Sequence, residues 1–140
     1  MNKNLIIISR ASEEHSDVKL KRAGATNVIM PDKVGGTRMA KLVAQPDIIE
    51  FVDSMLIKSG VDVNLVEIAC NELESCMINK TIRELNIRQS SGANLIGIKR
   101  SDNTFVYNPS TDLKLTANDK LFVIGTQKQI SKLKAILIDN

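Results

Sequence analysis

At 140 residues the chain has room for one ordinary domain or two small ones sharing a linker, and it carries a net charge of only +3. It is 43% hydrophobic and 25% charged, with no Trp, one Tyr and three Phe, the composition of a soluble globular protein with an aliphatic core. Stacking platforms for bases are therefore scarce, and nine Lys/Arg against seven Asp/Glu in residues 1–60 and ten against nine in 61–140 leave no basic patch, which argues against nucleic acid as the main partner.

In chain order, Asn4 to Ser9 is a continuous apolar run that predicts a strand buried on both faces of a parallel sheet. A helix follows, with Ser12 as N-cap, acids in its first turn, Lys19, Lys21 and Arg22 near its end and Gly24 as its stop. Ala25 to Pro31 reads as a short strand closed by Pro31, completing a strand–helix–strand crossover unit. A helix from about Gly36 to Gln45 and another from Pro46 to Gly60 come next; the second carries Ile48, Ile49, Phe51, Val52 and Met55 over a wide apolar surface that predicts a dimer interface.

Beyond a boundary near 58–62 the pattern changes. Val61, Val63 and Leu65 alternate with polar residues as in a half-buried strand, and Thr81 to Ile87 reads as helical, closed by Ser90-Ser91-Gly92. Two short strands flank a turn at Ser101-Asp102-Asn103, and a second turn at Ala117-Asn118-Asp119 precedes a last strand. Residues 127–138 form an amphipathic terminal helix with Ile130, Leu133, Ile136 and Leu137 on one stripe. From Asn79 to Gly125 glycines are sparse and no catalytic constellation intervenes, the profile of a ligand-sensing or interaction module rather than an enzyme.

Few residues carry specific chemistry. Gly35–Gly36 lacks the spacing of a dinucleotide loop; it reads as a flexible helix entry whose free amides could also meet an anion. Glu13, Glu14 and Asp17 suit a helix N-terminus, and His15, the sole histidine, cannot anchor a metal cluster, so no metal site is expected. Cys70 and Cys76 are six positions apart, outside any redox or zinc spacing, and read as free thiols. No apolar run reaches the roughly 18 residues of a membrane span, and with an N-terminal apolar run of only Leu5 to Ile8 no signal peptide is expected.

Several features together carry a family resemblance. Arg10–Ala11 follows the first strand; Leu20, Ala23-Gly24-Ala25, Val28-Ile29, Pro31 and Gly36…Arg38-Met39-Ala40 follow in order; Gln45-Pro46-Asp47 precedes the apolar helix. Downstream stand Lys80…Leu85…Ile87, Ile96…Lys99-Arg100, Pro109 and Asn118-Asp119…Leu121…Val123…Gly125. Over nearly its whole length the chain resembles the regulator of K+ conductance domain of bacterial potassium channels and potassium-uptake regulatory proteins.

The resemblance implies an α/β fold in which residues 1–60 are the C-terminal part of a Rossmann-like parallel sheet with its crossover helix. A linker helix then leads to a small α+β C-terminal lobe, 61–140. It implies a cytoplasmic regulatory domain at the inner face of the cell membrane, a homodimer or higher ring, that couples ligand binding to gating of a potassium pore. The Gly-rich first half of the family's nucleotide site is missing, so Arg10 either reaches a bound nucleotide in an intact domain or serves as a solvated charge. The carboxylates of calcium-responsive members are replaced here by Arg10 and Ser12. In members that bind cyclic di-AMP two lobes hold it between them; the matching positions are Leu95 and Ile96 for the bases and Arg100 for phosphate, with Asn103 and Asn108 as weaker candidates. Cyclic di-AMP or an adenine nucleotide is the implied ligand. The alternatives are a dimerisation module with no small ligand and a fragment of a nicotinamide-dependent enzyme. A longer subunit or a partial gene product would each account for a chain that opens inside a sheet.

Overall fold

The computed structural model describes residues 5–56 and 62–138, the Cys76 side chain excepted. The chain divides into two units, Met1–Val52 and Asp53–Asn140. The predicted helix end at Gly60, Val61 and most of the expected boundary at 58–62 lie outside the described residues. No helix among the described residues is long and apolar enough to cross a membrane.

In the first unit β1 (Ile8–Arg10) and β2 (Asn27–Ile29) pair in parallel, Ile8 opposite Asn27, with α1 (Glu14–Arg22) crossing between them. The N-cap of α1 is Glu13 rather than Ser12 and makes no side-chain cap, so the start rests on Glu14 and Asp17 in the first turn. Gly24, at φ +104°, ends the helix in a conformation that other residues rarely adopt. Then α2 (Pro31–Ala44) begins on Pro31, so the proline opens a helix rather than closing the strand, and the helix starts ahead of the expected Gly36. Proline fits there because the first helical N–H has no intrahelical partner to lose. Gly35 and Gly36 consequently sit inside α2, where their amides are spent on helical hydrogen bonds, and the anion reading fails. α3 (Pro46–Leu56) follows.

The first strand is not buried on both faces. Leu5, Ile6, Ile8 and Ile29 are all exposed, and Ala11 is the unit's one buried side chain among the described residues. Two strands of three residues cannot cover their own faces.

The second unit is a four-stranded antiparallel sheet in the order β3-β6-β4-β5, from β3 (Asn64–Ala69), β4 (Asn94–Lys99), β5 (Phe105–Tyr107) and β6 (Lys120–Gly125). α6 (Gln127–Leu137) packs on β6 and β3, and Ile68, Ile98, Leu115, Leu121, Val123, Leu133 and Leu137 form a fully buried core beneath it. The expected side of β3 is reversed: Val66 and Ile68 face the core, while Leu65 and Glu67 face outward. Pairing with β6 decides this, because Ile68 sits opposite buried Leu121 whereas Leu65 sits opposite Ile124. The single helix expected over 81–87 is two, α4 (Ile82–Leu85) and α5 (Ile87–Ser91), broken at Asn86, whose φ of +47° is left-handed. Asparagine tolerates that conformation better than most residues.

Candidate functional site

A cleft of about 310 Å³ opens in the second unit where α4, α5, the start of β4 and the loop after β5 meet. Its position follows from how α4 begins. Thr81 Oγ1 accepts from Glu84 N at 3.2 Å while Thr81 N donates to Glu84 Oε2 at 2.7 Å, a closed capping box. The next free amides of that turn, Ile82 N and Arg83 N, donate to Leu113 O and Thr111 O at 3.0 and 2.8 Å, so the loop after β5 finishes the helix start. The left-handed turn at Asn86 then redirects the chain into α5.

On an unbroken helix, residues five apart lie roughly 140° apart, on different faces. With the break, Arg83 and Arg88 line one cleft. Arg83 Nη2 is held by Asp112 Oδ1 at 3.0 Å and by Thr111 Oγ1 at 3.1 Å. Arg88 is exposed, with no charged partner among the described residues. Ile82, Ile87, Leu95 and Pro109 supply apolar wall, and Asn86, Asn94 and Asn108 supply amides. The Arg88 guanidinium, beside an Asp112-bound Arg83, an apolar wall and several amides, can receive an anion attached to a flat, hydrogen-bonding ring.

The structure divides the residues expected to bind ligand. Leu95 and Asn108 line this cleft. Ile96 is exposed on β4, beside a register shift between Leu95 and Gly97. Arg100 and Asn103 border a separate cleft with Lys99, Ser101, Asn118 and Lys120. Arg100 is already occupied there: its Nη1 lies 2.6 Å from Asp119 Oδ2 and 3.1 Å from Lys114 O. Asp119 is 1% exposed and its Oδ2 also accepts from Thr116 N at 2.8 Å. Nearby Cys70 is fully buried; burial, with the Asp119 charge adding to it, pushes its thiol up to about 12.

Arg10, at the end of β1, borders a surface cleft with Ala11, Ser12, Glu13, Ser16, Lys19 and Leu20. The neighbouring acids are engaged: Glu14 Oε1 holds Lys33 Nζ at 2.6 Å, which draws its carboxyl below the usual range, and Asp17 Oδ2 holds Lys21 Nζ at 3.1 Å. On α3, Ile48 and Phe51 are exposed while Ile49, Val52 and Met55 are half-buried.

The outward sheet face of the second unit collects three of the chain's four aromatic residues. Phe105 stacks on Tyr107 at 6.1 Å and meets Phe122 at 5.8 Å, with Lys99 Nζ 5.5 Å above the Phe105 ring. Tyr107 is 79% exposed.

Residues 65–138, the β3-to-α6 lobe just described, match the TrkA-C domain. The chain belongs to the TrkA-C domain family. The TrkA-C lobe thus includes the Arg88 cleft and the aromatic face. Among relatives, the chain is 30% identical over 135 residues to potassium channel protein 1 of Methanocaldococcus jannaschii, covering 96% of this chain and 39% of that protein. It spans about two fifths of the length of the curated channel relatives it matches. Among solved structures, the C domain of the potassium transport protein KtrA, a regulator of conductance of K+ in complex with cyclic di-AMP, aligns with a TM-score of 0.51 at 25% identity, covering 66% of this chain and 94% of that one. The human SLO3 gating ring aligns with a TM-score of 0.68 at 15% identity over 94% of this chain and 28% of that one, a likeness of fold.

Proposed function

We propose that this chain is the ligand-sensing part of a potassium channel or potassium-uptake regulator, and that the cleft bordered by Arg83, Arg88, Leu95 and Asn108 takes an adenine nucleotide, cyclic di-AMP first among them. The observation that carries this is Arg88, a charged side chain with no ionic partner among the described residues, beside an apolar wall. At about 310 Å³ the cleft is at the small end of ligand pockets. A symmetric dinucleotide spanning two lobes about a two-fold axis needs only one such half-site per chain. Bound ligand would favour one arrangement of a homodimer over another and pass that preference to a membrane-embedded pore subunit or domain from its cytoplasmic side. The action is regulatory, not enzymatic.

Calorimetric titration of the chain with cyclic di-AMP, ATP and NAD tests the reading. Cyclic di-AMP is expected to bind at one per two chains, and Arg88→Ala to weaken it about tenfold or more, the loss of one charged hydrogen bond. An unchanged affinity in Arg88→Ala sinks the site. A second reading, an interaction module with no small ligand, draws on the exposed Phe105 and Tyr107 beside half-buried Phe122, and absence of heat with all three nucleotides would favour it.

A further inference from the structure

A second cleft, of about 310 Å³, opens at the other end of β4, between the β4–β5 turn and the turn before β6. Five residues of strand, roughly 17 Å, separate Asn94 in the Arg88 cleft from Lys99 here. Lys99, Arg100 and Lys120 line it with Ser101, Asn103 and Asn118, and no carboxylate among the described residues does. Both turns are held in place. Arg100 N donates to Thr104 O and Asn103 N to Arg100 O, each at 2.9 Å, while Thr116 N donates to Asp119 Oδ2 at 2.8 Å. The Arg100–Asp119 pair then ties one turn to the other. A cleft fixed in advance loses little ordering entropy when it fills.

The three cations differ in how much of their charge is already answered. Lys120 is held by Glu67 at 2.6 Å. Arg100 is held by Asp119 and Lys114 O through Nη1 alone, and its Nε and Nη2 have no partner among the described residues. Lys99 has no carboxylate partner among the described residues; its Nζ lies 5.5 Å over the Phe105 ring. A ring face steadies a cation without cancelling its charge. Asp102, inside the turn, accepts instead from Thr104 N and Oγ1 at 2.9 and 2.6 Å. The Ser101 hydroxyl and the Asn103 and Asn118 side-chain amides make no hydrogen bond among the described residues. We infer that this cleft binds the phosphate group of a soluble phosphomonoester, as a second anion site independent of the Arg88 cleft. The three oxygens of such a group accept from a guanidinium edge, an ammonium, a hydroxyl and amides at once, which is the donor set present here.

Nuclear magnetic resonance titration of the chain with inorganic phosphate and with AMP, at an ionic strength held constant with chloride, tests this. Both are expected to give saturating shifts at the backbone amides of Ser101, Asn103 and Asn118. Lys99→Ala is expected to weaken that binding about fivefold or more. Ser101→Ala, which leaves the charge unchanged, is expected to weaken it about two- to tenfold. Lys128→Ala, on α6, and Arg88→Ala are expected to leave it as it is. Shifts that do not saturate, that fall equally in Lys99→Ala and Lys128→Ala, or that ignore Ser101→Ala mean diffuse attraction and overturn the site. Binding to phosphatidate vesicles with none to phosphate or AMP in solution overturns the soluble source. Each of these failures leaves the proposed function standing, because its own test reads Arg88.

Discussion

Arg100 and Arg88 illustrate how little a residue type says about its role. Both are arginines near short strands or turns, but one is tied to a carboxylate that is 1% exposed and the other borders an open cleft. Breaking a buried ion pair strands the remaining charge, at a cost of about 3–5 kcal/mol when both partners are enclosed. Arg100 keeps part of its side chain in water, so Arg100→Leu is expected to lower stability by about 2–3 kcal/mol in urea denaturation while leaving nucleotide affinity at the Arg88 cleft unchanged. Lost affinity without lost stability would return Arg100 to the ligand site. Cys70 gives a pH test. Its thiol ionises in the unfolded chain near the ordinary 9.0 but in the native chain only near 12, so the native state holds the proton more tightly. That contribution is complete below pH 9 and is drawn down as pH rises towards 12. Stability measured at pH 8 and 10.5 should therefore fall more in the unmodified chain than in Cys70→Ala.

At the scale of elements, two capping boxes with the same spacing, Thr81–Glu84 and Thr126–Gln129, start α4 and α6. Their consequences differ, because α6 has eleven residues and a buried stripe to hold it whereas α4 has four. Thr81→Ala is expected to cost about 1 kcal/mol of stability, and also to loosen the loop bonds that place Arg83, which would show as weaker nucleotide binding. Glu84 belongs to the same device: hydrogen bonds from the Thr81 amide and hydroxyl hold its carboxyl below the usual value. The box therefore contributes above the ordinary carboxylate range and is lost as pH falls through the lowered value. Thr126→Ala, tested alongside, should affect stability alone. The α6 stripe, both turns and the strands of the TrkA-C lobe were legible in local pattern. The side of β3 that faces the core was not, because Leu65 and Val66 are equally apolar and only the register with β6 chooses between them.

At the scale of the whole molecule the two units differ in how much they enclose. Among the described residues, thirteen buried apolar side chains form one cluster in the second unit, from Ile68 to Leu137, while Ala11 alone is buried in the first. A fragment of residues 62–140 is therefore expected to keep a cooperative thermal transition, and one of residues 5–52 to show none by circular dichroism. Loss of the transition from 62–140 would mean that the lobe depends on contacts outside its own core.

The sequence by itself determined the family, the α/β class and most of the order of elements, because periodicity, caps and turn residues act over a few neighbouring positions. Two of the residues it singled out, Leu95 and Asn108, line one cleft. Which cations stand there was decided by tertiary structure: Arg100 is drawn to Asp119, 19 positions away, and Arg83 and Arg88 share a cleft only because the chain turns left-handed at Asn86. Those are questions of which groups meet across the fold, and single-residue chemistry does not answer them.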